Sequence, residues 1–73
     1  MGQETRYVEV AGEILRETGM AIQVRFNDDD DVERTEWFSL SQIKKITHAK
    51  SSEDDTVITV AEWVYKRKQE TWN

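Results

Sequence analysis

The sequence predicts a mainly β protein: a small five-stranded antiparallel barrel or curled sheet, SH3-like or OB-like, with a short C-terminal helix. Three observations carry this. Apolar and polar residues alternate through most of the chain, the period of a strand with one buried face. Short polar or acidic stretches interrupt the alternation at turn-sized intervals. Near residue 60 the apolar spacing lengthens from two to three and four, the period of a helix. Seventy-three residues make one domain, and a chain this short buries only about 60% of the surface its unfolded form exposes. Closing the sheet would hide its edges. The other arrangement is an open meander with the helix packed on one face.

In RYVEVAGEIL, residues 6–15, Val8, Val10 and Ile14 share one face, with Glu9 and Glu13 on the other. Gly12 falls on the apolar face in mid-strand and marks a bulge or a sharp bend. RETG, residues 16–19, is a turn in which Gly19 supplies a positive φ if one is needed. MAIQVRF, residues 20–26, is the cleanest strand, with Met20, Ile22, Val24 and Phe26 alternating with Ala21, Gln23 and Arg25. An acidic loop at 27–33 breaks it. RTEWFSL, residues 34–40, is a third strand, and Ser39 to Gln42 redirect the chain, with Ser41 and Gln42 satisfying turn backbone groups. A fourth strand starts at Ile43, where the three-residue spacing to Ile46 suits a bulge or a helical turn. A second acidic loop, 50–55, precedes the fifth strand, TVITV, at 56–60. Thr59 followed by Glu62 matches a capping box. Val60, Trp63 and Val64 then share the packing face of a helix that frays near Lys68 or Gln69. Residues 1–5 and 70–73 are expected to fray.

Net charge is −5 and unevenly spread: residues 1–36 hold ten acids against four arginines, whereas residues 37–73 hold six bases against five acids. A protein that lives by nonspecific phosphate contacts usually shows the opposite total. An acidic half suits solubility and basic partners. Cysteine is absent, which removes disulfide and thiolate chemistry and fits a reducing compartment. MGQETRYVEV has no basic segment followed by an apolar run, so it does not read as a signal peptide. Met-Gly matches the start of a myristoylation signal, but Arg6 stands where serine or threonine is required. The apolar runs are too short for a membrane span. A cytoplasmic domain is expected.

Asp28, Asp29, Asp30 and Asp31 are the sharpest local feature. They lack the spaced ligands, central glycine and distal glutamate of a calcium loop, so no metal is expected. With Glu33 and Glu36 they form a candidate protein-binding face for a basic partner, and with Glu53, Asp54 and Asp55 they could imitate DNA phosphates. His48 is the single histidine, no nucleophile elbow surrounds Ser39, Ser41, Ser51 or Ser52, and the three glycines stand apart. The chain therefore reads as non-catalytic, with no cofactor. The alternative is a single-stranded nucleic-acid binder. Lys44, Lys45, Lys66, Arg67 and Lys68 would track phosphates, and Tyr65 and Trp72 would stack on bases. Alternation sets Trp37 and Phe38 on opposite faces, so one belongs to the core, and Trp63 is expected there too. A homodimer through edge strands fits either reading.

Three stretches in order, GEILRETGMAIQV, EWFSLSQI and ITVAEWVYKRK, resemble a group of small proteins carried by phages and prophages. In that group a strand ending Arg-Glu-Thr leads to an Ala-Ile strand, then to Trp-Ile-Pro-Lys-Ser-Gln-Ile, then to a Pro-Glu-Trp helix with a basic end. The likeness covers most of residues 12–68. It departs at Phe38, Ser39 and Leu40, which replace Ile-Pro-Lys, and at Ala61, which replaces proline. The resemblance implies a phage accessory protein acting in a bacterial cytoplasm, often encoded near recombination or replication genes. It is compatible with an inhibitor of a host-defence or nucleic-acid-handling complex, and it brings no active site.

Overall fold

A computed structural model describes residues 5–72. It contains β1 (Tyr7–Glu17), β2 (Ala21–Asn27), β3 (Glu33–Ser39), a 3-10 turn (Leu40–Gln42), β4 (Ile43–Thr47), β5 (Thr56–Ala61) and α1 (Glu62–Gln69). All five strands lie in one antiparallel sheet in the order β3-β2-β1-β5-β4. The mainly β architecture with its terminal helix is as the sequence predicts. The closed-barrel alternative is not what forms: the sheet is open and curled, with β3 and β4 as its edges.

β1 joins the two halves of the sheet. Its first half pairs with β5 over Tyr7–Gly12, its second half with β2 over Gly12–Glu17, and Gly12 alone belongs to both ladders. Gly12 therefore sits where β1 passes from β5 to β2, while the bulge falls later, between Ile14 and Arg16. The extra residue, Leu15, is turned outward. A second bulge, between Ile43 and Lys45, resolves the three-residue isoleucine spacing in β4. Ile43 and Ile46 both pack on the core, and Lys44 and Lys45 between them are exposed.

The core is built from Val10, Ile22, Val24, Phe26, Phe38, Ile58, Val60, Ala61 and Val64, all buried. Met20, expected to extend the apolar face of β2, is instead 81% exposed in the β1–β2 turn. That turn is held by Thr18, whose hydroxyl accepts from the backbone N–H of Met20 (3.2 Å) and Ala21 (3.0 Å). No glycine among the described residues has a positive φ, so Gly19 supplies none. At the Ser39–Gln42 step the hydroxyls of Ser39 and Ser41 pair with each other at 2.9 Å instead of bonding backbone groups.

The helix starts later than the sequence suggests. Thr59 and Val60 remain in β5, Ala61 is the N-cap, and no side chain caps the helix, so the capping box does not form. The Glu62 N–H instead donates to the Arg6 carbonyl at 2.8 Å, docking the helix on the residue that leads into β1. Glu62 in the first turn and Lys66, Arg67 and Lys68 in the last complement the helix dipole. The predicted fraying of residues 1–4 and 73 lies outside the described residues. In residues 70–72 the N–H groups of Glu70, Thr71 and Trp72 donate to the carbonyls of Lys66, Lys68 and Gln69.

Candidate functional site

The acidic loop is organised by its first aspartate. One Asp28 carboxylate oxygen accepts from the N–H groups of Asp30 and Val32, both at 2.9 Å, and the other from Arg34 Nε at 2.8 Å. The backbone repeats the closure: Asp31 N–H donates to the Asp28 carbonyl and Asp28 N–H to that of Val32, each at 2.9 Å. Asp31 takes the left-handed φ of 61° that the turn requires, which aspartate tolerates better than most residues. With a side chain only 5% exposed, Asp28 holds the loop and is not part of an exposed binding face. Asp29, Asp30 and Asp31 are exposed and have no ion pair among the described residues.

The Arg34 hydrogen bond, followed by that from Val32, lowers the Asp28 pKa below its ordinary 3.8. A depressed carboxyl stabilises the fold above the unfolded value and loses that contribution as pH falls through the folded one. The stability gap between wild type and Asp28→Asn is therefore expected to be flat above about pH 5 and to narrow below about pH 4. Paired urea titrations across pH check this. A gap that widened on acidification would remove Asp28 as the anchor.

Glu33 and Glu36 are also engaged. Glu33 lies 3.7 Å from Arg25, which also pairs with Glu13. Glu36 projects, with Arg34 and Phe38, toward the helix side of β3. Its carboxylate accepts from Trp72 Nε1 at 2.8 Å and lies 3.7 Å from Lys68. The predicted acids thus do not form one phosphate-like row, because Asp28 is committed to its own loop and Glu36 to Trp72 and Lys68.

The predicted nucleic-acid surface is split in the same way. Trp72 is half-buried, with its ring centroid 5.8 Å from Phe26, edge-on to Tyr65 at 5.6 Å, and with the Arg34 guanidinium 4.9 Å from it. Tyr65 is half-buried and packs on Phe26, and burial, followed by the charges of Asp29 and Asp28, raises its hydroxyl pKa. Tyr65, Lys68 and Trp72 therefore fasten the helix to the sheet and do not form an open stacking platform. Acids from one predicted surface and rings and a cation from the other hold each other. Lys66 pairs with Glu62 at 3.3 Å, and Lys44, Lys45 and Arg67 are exposed.

The exposed aromatics are different ones. Phe38 is the buried member of its pair and Trp37 is 41% exposed, while Trp63, expected in the core, is 53% exposed. Trp63 and Arg67 line a shallow groove of about 400 Å³ with Gln42, Thr71, Lys68 and Glu36. A second cleft of about 600 Å³ lies between Glu13, Arg25 and Glu33 and the β4–β5 loop residues Ser51, Asp54 and Asp55. His48 is exposed. No group of three potential metal ligands occurs among the described residues, and no described helix is long and apolar enough to cross a membrane. Comparison with protein-family models, curated proteins and solved structures finds no match to this chain.

Proposed function

We propose that this chain is a non-catalytic protein-binding module, an accessory protein of a phage or other mobile element, whose binding element is the β2–β3 hairpin. One observation carries the reading: a fixed acidic tip and an exposed tryptophan stand on the same edge hairpin. Asp28 holds the tip backbone in one shape, so Asp29, Asp30 and Asp31 meet a partner at a reduced ordering cost. Trp37 follows six residues after Asp31 on edge strand β3, about 20 Å along an extended chain, within the span of an ordinary protein interface. Tryptophan is the residue type most enriched among those that dominate binding energy. The carboxylates steer a basic surface toward it. In this reading the partner is a host complex with a basic face, and binding blocks that face.

Capture from nuclease-treated bacterial lysate tests this with three baits: wild type, Asp29→Asn/Asp30→Asn/Asp31→Asn, and Trp37→Ala. A protein retained by wild type is expected to fall at least about tenfold with Trp37→Ala. With the triple variant it falls several-fold at low salt and less at high salt, where exposed charges are screened. Equal recovery on all three baits would discard the hairpin as the binding element.

A further inference from the structure

We propose a second binding surface, for single-stranded nucleic acid, where the start of β1, the bulge of β4 and the outer side of α1 meet. The fold brings together Arg6, Tyr7, Lys44, Lys45, Trp63 and Arg67, residues spread over most of the chain. The Glu62 N–H donates to the Arg6 carbonyl, and Tyr7 stands opposite Ala61 in the β1–β5 ladder. Two of the three exposed aromatics, Tyr7 and Trp63, each follow a member of that hydrogen-bonded pair by one residue. Lys44, lifted out of register by the bulge, sets its ammonium 4.3 Å from the centre of the Tyr7 ring. Lys45 lies opposite Thr59 on the outermost strand. Arg67 is one helical turn beyond Trp63 and shares its groove, which reaches Gln42 at the foot of β4.

These features fit one ligand chemistry. A base needs an accessible ring to stack on, and the phosphates beside it need cations within a nucleotide's reach. Duplex DNA keeps its bases stacked on one another, so the surface selects single strands. The net charge of −5 does not prevent this. Glu62 is paired with Lys66 and Glu36 with Lys68, and the tip acid Asp29 lines a cleft with Glu62, Tyr65 and Lys66, apart from the groove of Trp63 and Arg67. Among the described residues, Glu9, across Thr59 from Lys45, and Glu36, in the groove of Trp63 and Arg67, are the acids set against these cations, and they limit affinity more than they abolish it.

The test is fluorescence anisotropy of labelled dT12, U12 and a 12-base-pair duplex from low to moderate salt. Saturable binding of dT12 is expected, with the duplex weaker by tenfold or more. U12 shows whether the 2′-hydroxyl matters: weaker binding than dT12 assigns DNA, equal or tighter binding admits RNA. Trp63→Ala should weaken binding about tenfold with little change in salt slope. Lys45→Ala/Arg67→Ala should lower the slope of log K against log salt by about 1.4, two phosphates at 0.7 each. Trp37→Ala, on the other hairpin, should leave binding unchanged, so this surface and the protein-binding hairpin fail independently. The proposal is overturned if dT12 does not bind at low salt, if the duplex binds as well, or if Trp63→Ala binds like wild type while melting normally.

Discussion

Replacing Gly12 with alanine is expected to cost about 3 kcal/mol and lower the melting temperature by roughly 12–24 °C. A Cβ at this position would fall 2.1 Å from the Arg25 carbonyl oxygen and 2.9 Å from the Phe26 Cβ. The obstacle is backbone of the paired strand, which cannot rotate aside as a side chain tip would. The same residue is where β1 leaves β5 and takes up β2, so relief would have to come from moving the paired backbones of β1 and β2 apart. A chain of this length has a total stability of about 4–11 kcal/mol, so the loss is a large part of it. Gly19→Ala is the control. A Cβ there would meet nothing within 4 Å and the φ is ordinary, so the melting point should move by less than about 5 °C. A Gly12→Ala protein melting within a few degrees of wild type would mean that β1 and β2 do not cross so closely.

The strands were legible because period-two alternation is a local property, and β2, β3 and β5 lie within a residue or two of where the pattern puts them. Gly12 was legible as a singular point, since glycine on an apolar strand face rarely lacks a backbone reason. What lay beyond local pattern was closure. Whether β3 and β4 meet depends on how far the sheet coils, and no single stretch encodes that angle. The helix start was misplaced because Thr59 and Glu62 satisfy the capping pattern, while Thr59 is held in β5 by its ladder to β1 and β4. Started at Glu62, the packing face reads Val64, Tyr65, Lys68 and Trp72, at spacings of one, four and eight. That leaves Trp63 and Arg67 on the other side. A two-residue error in one helix start thus exchanged an anchoring tryptophan for an exposed one.

The candidate acids show the same limit. Asp28 and its three successors are identical in type and adjacent, yet only Asp28 is within reach of Arg34 and the loop N–H groups. Sequence supplied the cluster, but only the turn geometry separates the aspartate that organises it from those it presents. Glu36 and Trp72 stand 36 residues apart, and their hydrogen bond had no local signature.

That distant bond makes Trp72→Ala the second large effect, and it separates the two helix-end tryptophans by stability alone. Removing the indole strips one wall from the Phe26–Tyr65 aromatic contact, takes the ring away from the Arg34 guanidinium, and leaves Glu36 with only Lys68. For a half-buried tryptophan this amounts to about 3 kcal/mol, read as a lower urea midpoint with an unchanged slope. Trp72→Phe keeps most of the packing and loses the hydrogen bond to a carboxylate, an expected cost of about 1 kcal/mol. Trp63→Ala, on the exposed side of the same helix, should stay within about 0.5 kcal/mol of wild type. The order Trp72→Ala, Trp72→Phe, Trp63→Ala is therefore the signature of a chain end that closes the domain. If Trp72→Ala proved as mild as Trp63→Ala, the C-terminal turn would not be seated on Glu36, and Trp72 would return to the set of rings free to meet a ligand.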